Sequence, residues 1–168
     1  MTMVRQALAG LAVPLLAAGA MLTASSARAA AVPIGCSDPY RVLAKTGWFS
    51  ADDDGTLRAD AADDPADVAQ WFRLCEPPDW QSGRTVLRSE GTERYLAPSL
   101  LTGQVRAVSP TPTSANVVDI VALLGGSYVI ESEYTHAYYD AREDRAGTPV
   151  YATAGLKDAE VVELVPAK

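Results

Sequence analysis

The sequence predicts an all-β domain built from three copies of one four-stranded unit. Two observations carry this. A turn glycine followed by an aliphatic residue and then an alanine occurs three times, as Gly55-Thr56-Leu57-Arg58-Ala59, Gly103-Gln104-Val105-Arg106-Ala107 and Gly147-Thr148-Pro149-Val150-Tyr151-Ala152. Repetition at about 45 residues marks stacked or symmetric supersecondary units. The apolar positions between these motifs follow a period of two, as half-buried strands require.

The chain of 168 residues opens with an address. Arg5 is followed by an apolar run from Ala7 to Leu22 and by Ala27-Arg28-Ala29, a small-residue cleavage pattern, so residues 1–29 read as an export signal. Gly10, Pro14 and Gly19 interrupt the run and leave it short of a membrane span. Without Arg5 and Arg28 the balance of 14 basic against 21 acidic residues becomes 12 against 21, near −9. That sign repels phosphate backbones and anionic lipid, so neither nucleic acid nor a membrane surface is an expected partner. Residues 30–168 suit one domain with one core. The expected product is secreted and monomeric. In an oxidising compartment Cys36 and Cys75 are expected to pair, which stabilises the fold by up to about 4 kcal/mol on a chain-entropy account.

A lead from Val32 to Pro39 precedes the first unit, at about 40–75. That unit runs through Val42-Leu43, Trp48-Phe49, the turn Asp54-Gly55, Leu57 with Ala59, and Trp71-Phe72-Arg73-Leu74. Asp63-Asp64-Pro65-Ala66 reads as the start of a short helix inserted before the last strand. Glu76-Pro77-Pro78-Asp79 breaks the ladder. The second unit, at about 85–124, carries Val86-Leu87, Tyr95-Leu96, Val105 with Ala107, a Ser/Thr/Pro loop over Ser109–Ser114, and Val118 to Leu124. After Gly125-Gly126 the third unit, at about 127–165, repeats the order with Tyr128-Val129-Ile130, Tyr138-Tyr139, Val150 with Ala152, and Val161 to Leu164. The closing runs align as Phe72-Arg73-Leu74, Val121-Ala122-Leu123 and Val162-Glu163-Leu164. On this alignment Leu57, Val105 and Val150 face inward, with Leu74, Leu123 and Leu164 beside them.

Three such units bury their apolar faces by closing on one another, two strands of each forming a barrel and two a cap, which also removes sheet edges. Within the second unit, Val86-Leu87-Arg88-Ser89, Arg94-Tyr95-Leu96-Ala97, Gly103-Gln104-Val105-Arg106-Ala107 and Val121-Ala122-Leu123 resemble the fascin-like branch of the β-trefoil superfamily. The other two units depart from that pattern, for example with Asp140 in place of a small residue. The resemblance implies a single β-trefoil in pseudo-threefold symmetry that binds and does not catalyse, its relatives recognising sugars, cytoskeletal filaments or protein partners. The sugar-binding ricin-type branch is less similar, because Gln70 and Trp71 are adjacent and its Gln-x-Trp signature is absent.

Candidate binding residues follow from the alternation. Trp48, Tyr95 and Tyr138 precede the inward residues Phe49, Leu96 and Tyr139 by one place and are expected to point outward, once per unit. An outward aromatic can stack on the apolar face of a sugar ring or pack under a neighbouring turn. His136, the sole histidine, lies beside Tyr138 and is a further ligand-binding candidate. Asp52-Asp53-Asp54-Gly55 resembles the opening of a calcium loop but lacks its downstream bidentate acid. No metal site, cofactor or catalytic motif is expected. The expected function is therefore recognition of extracellular carbohydrate or a surface glycan. An extracellular protein partner is the alternative, engaged through the Ser109-Pro110-Thr111-Pro112-Thr113 loop.

Overall fold

A computed structural model describes residues 35–77, 80, 83–143 and 147–167. The expected export signal at residues 1–29, the first residues of the lead and part of the break at Pro77-Pro78-Asp79 lie outside the described residues.

The first unit contributes β2 (Tyr40–Leu43), β3 (Trp48–Ala51), β4 (Leu57–Ala61) and β5 (Phe72–Glu76), preceded by a two-residue β1 (Gly35–Cys36). The second contributes β6 (Thr85–Ser89), β7 (Arg94–Pro98), β8 (Val105–Ser109) and β9 (Val117–Ala122). The third contributes β10 (Tyr128–Ser132), β11 (Ala137–Ala141), β12 (Val150–Ala154) and β13 (Glu163–Pro166). The first and last strands of the units form a ring in which β2 pairs with β5, β5 with β6, β6 with β9, β9 with β10 and β13 with β2. A Tyr128–Val162 bridge joins β10 to the start of β13 and closes it. The hairpins β3–β4, β7–β8 and β11–β12 cap one end of this six-stranded barrel. The architecture is a β-trefoil.

The recurrent glycine motif is what joins the cap. Ala107 N donates to Gly55 O (2.7 Å), Ala152 N to Gly103 O (2.8 Å) and Ala59 N to Thr148 O (3.0 Å), so each hairpin bonds to the next around the axis. Thr148 stands in for the glycine because the third motif is one residue longer. It adopts φ 36°, a left-handed value uncommon for threonine. Gly55 has no substitute: φ is 83°, and a Cβ there meets Ala107 O at 2.3 Å.

Leu57, Val105 and Val150 are fully buried at equivalent places, with Ala59, Ala107 and Ala152 two residues on. Alternation therefore placed the third strands correctly. It misplaced the last strand of the second unit. The equivalents of Phe72 and Val162 are not Val121 but Val118, opposite Thr85 as Phe72 is opposite Tyr40. Ile120, not Leu123, packs beside the core with Leu74 and Leu164, while Leu123 is exposed. The run from Val117 to Leu124 is apolar in both parities save at Asp119, so alternation alone could not choose between registers three residues apart.

The expected helix in the first unit starts later than Asp63. It is a single 3-10 turn, Val68–Gln70, capped by Asp67, whose carboxylate accepts from Ala69 N (3.0 Å). It is not an insertion, because Ser114–Asn116 and Leu156–Asp158 form such turns before β9 and β13. Cys36 and Cys75 are cross-strand partners on β1 and β5 and form a disulfide. In this way the lead is fastened across the open end of the barrel.

Candidate functional site

Trp48, Tyr95 and Tyr138 occupy one position per cap hairpin and are spread around the axis, so the fold does not bring them into one site. Each hairpin carries a register shift at or next to this position, at Trp48/Ser50, Tyr95/Leu96 and Tyr138/Tyr139. A bulge sets two residues against one and breaks the strict in-out alternation. At the second hairpin the consequence is clear: Tyr95 is as buried as Leu96. It packs with Val86, Val117 and Cys75, and Trp80 from the β5–β6 connection lies against this cluster. Burial pushes its phenol pKa up. Tyr95 is thus a packing residue, and the expectation of an outward, ligand-facing ring is corrected there.

Tyr138 stays half-buried, and its hydroxyl donates to the Glu131 carboxylate on the adjacent strand, which raises the phenol pKa. Trp48 is also half-buried. The Arg41 guanidinium lies 3.9 Å from its ring centroid, a cation–π contact. Arg41 is itself buried, and its Nη2 donates to Asp63 Oδ1 (2.7 Å) and Gln70 Oε1 (2.6 Å). Gln70 Nε2 in turn donates to Ala62 O (2.9 Å). These bonds hold a charged plane against the indole and fix the ring. The equivalents of Arg41 are Val86 and Val129, both buried. Arg41 and Gln70 were missed as site residues, although a charge at the place of two valines becomes visible once the repeats are aligned.

His136 is exposed at φ 52°, in the turn between β10 and β11. Glu93 takes φ 55° at the same place in the second unit. Ser132 Oγ accepts from Thr135 N just as Ser89 Oγ accepts from Thr92 N, so the position is a turn position first. His136 and Tyr138 share a hairpin, but no hydrogen bond joins them among the described residues.

The aspartates at Asp52-Asp53-Asp54 serve the turn before β4. Asp54 Oδ1 accepts from Thr56 N (2.8 Å), which lowers the Asp54 pKa, with Arg106 adding attraction. Asp52 pairs with Arg58, which also donates to Gly147 O (3.1 Å) on the neighbouring hairpin. Together with Asp67 they line an open cleft of about 490 Å³. Among the described residues no group of His, Cys, Asp and Glu is arranged to hold a metal ion. A second cleft, about 510 Å³, lies at the open end of the barrel between Cys36, Leu74, Glu76, Thr85 and Ile120.

The cap hairpin tips differ sharply. At Leu100-Leu101 in the second unit the two leucines are 66% and 96% exposed, where the first unit has Asp53-Asp54.

No protein-family model matches the chain, and no curated protein matches it in sequence. Among solved structures it is similar to a designed threefold-symmetric protein, ThreeFoil, at 16% identity and a TM-score of 0.62, over 76% of this chain and 97% of that one. A likeness at that identity concerns the fold alone.

Proposed function

We propose that the protein is a secreted, non-catalytic module that binds extracellular carbohydrate, with Trp48 as its main platform. The β-trefoil architecture supports a binding module; it does not select the ligand. The observation that carries the sugar reading is Trp48, a half-buried indole pinned by Arg41 among hydrogen-bonding side chains. A ring already fixed loses little conformational freedom when a sugar stacks on it, and the exposed Asp63 carboxylate can orient a hydroxyl group beside it. Tyr138 offers a weaker site of the same kind in the third unit.

The test is a glycan array on the mature protein, followed by calorimetry with Trp48→Ala and Trp48→Phe. Loss of binding in the alanine variant and partial retention in the phenylalanine variant are expected, with thermal melts confirming that both fold. Absence of binding to any glycan at millimolar concentration refutes the reading.

Leu100 and Leu101 favour a second reading, a protein-interaction module of the kind that the likeness to the fascin-like branch implies. Exposed leucine pairs at a hairpin tip are costly to leave in water and suit an apolar pocket on a partner. A partner recovered from culture fluid by the native protein and lost with Leu100→Ser/Leu101→Ser supports this alternative over the first.

A further inference from the structure

Three equivalent connections lead from the third to the fourth strand of each unit, and they are chemically unlike. In the first unit the connection is acidic and tied down: Asp63 bonds Arg41, Asp64 Oδ1 accepts from Ala66 N and Asp67 caps its turn. In the third it carries Lys157, Asp158 and Glu160. In the second, Ser109-Pro110-Thr111-Pro112-Thr113-Ser114, there is no charge, and four hydroxyls alternate with two prolines. Such a stretch has the composition of O-glycosylated segments.

The hydroxyls of this loop are not equivalent. Thr113 is the anchor, its N donating to Asn116 Oδ1 (2.7 Å) and its Oγ1 to the same atom (2.9 Å). Asn116 is fully buried and its Nδ2 donates to Leu96 O (2.9 Å), so the end of the loop is fastened to the second cap hairpin. Thr111 is exposed, and its hydroxyl makes no hydrogen bond among the described residues. Pro110 and Pro112 lack N–H groups, and a residue before proline is driven to extended backbone. The chain bends at Pro110 and Thr111, which sets Thr111 on an exposed turn whose following end is fastened through Asn116. A transferase cleft can reach an acceptor of that form without unfolding the domain.

We propose that Thr111 is an O-glycosylation site that accepts a hexosyl group from a phosphate-activated sugar donor. Thr111 Oγ1 attacks the anomeric carbon, the bond from that carbon to the phosphate oxygen breaks, and the phosphate leaves with the electron pair. The hydroxyl proton passes to the transferase base. N-linked attachment has no acceptor here, since Asn116, the sole asparagine, is buried and followed by Val117-Val118. The inference concerns a sugar attached to the protein and is independent of the reading that Trp48 binds one.

The experiment is intact-mass and fragment-ion mass spectrometry of the protein secreted by its own organism. Hexose increments are expected on the tryptic peptide from Ala107 to Arg142, localised to Thr111. Thr111→Val should lose them with an unchanged melting midpoint. Thr113→Val should keep them while melting earlier, because it removes the Oγ1 bond to Asn116. A secreted protein of bare polypeptide mass overturns the proposal. So do increments that survive Thr111→Val or localise to another residue.

Discussion

Truncating Val105 to alanine tests the threefold core and the strand register together. Val105 is fully buried on β8, and its counterparts Leu57 and Val150 are equally so. Removing its two methyl groups forfeits their transfer free energy and leaves a gap that two fixed hairpins cannot close, at a cost of about 2 kcal/mol. The outward neighbour Arg106 sets the scale for comparison. Its Nη2 donates to Asp54 O (2.7 Å) on the neighbouring hairpin and lies 3.6 Å from the Asp54 carboxylate, with the side chain 40% exposed. A single solvated tie of this kind is worth about 0.5–1 kcal/mol. Urea melts of Val105→Ala and Arg106→Ala therefore differ in midpoint. With a slope near 2 kcal/mol per molar, the valine variant moves by roughly 1 M and the arginine variant by at most about half of that. Leu57→Ala, which removes more volume at an equivalent place, should cost about 3 kcal/mol. An equal or larger loss at Arg106, with unchanged slopes, would mean that β8 presents its other face to the core.

Gly55→Ala should be among the most damaging single-methyl additions, at more than about 2 kcal/mol, because its Cβ meets Ala107 O at 2.3 Å and φ is 83°; Gly125→Ala, also at positive φ but with open space around it, should cost about 1 kcal/mol by thermal melt. The Tyr139 hydroxyl is buried without a hydrogen-bond partner among the described residues, so Tyr139→Phe should be neutral or stabilising in the same assay, and a loss above about 1 kcal/mol would reveal a partner. Burial raises the Tyr139 pKa well above the ordinary 10.0. The unfolded chain therefore loses that proton first, and stability present below about pH 10 should fall as the pH rises beyond it, less steeply in Tyr139→Phe. Mass spectrometry of the unreduced protein should show Cys36 and Cys75 bonded; with a sequence separation of 39, replacing both by serine should cost about 4 kcal/mol on the chain-entropy account, and two free thiols would overturn the pairing.

The sequence by itself determined the threefold plan, the inward positions of β4, β8 and β12, and the cysteine pair. These are local properties: a turn glycine and a two-residue period specify where a strand starts and which side chains share a face. Tertiary structure decided what covers each face. Alternation marked Trp48, Tyr95 and Tyr138 as equivalent, yet Trp80 and the apolar cluster around Val86 enclose Tyr95, and Arg41 reaches Trp48 from β2. Neither neighbour is encoded in the period of its own strand. The register of β9 was undecidable locally because Val117 to Leu124 is apolar on both parities, and it was settled by its pairing with β6 at Thr85–Val118. His136 drew notice as the sole histidine, but the backbone places it by turn geometry that Glu93 shares. A strand period reports direction; burial and reach depend on chain segments far away in sequence, and only the closed barrel brings those together.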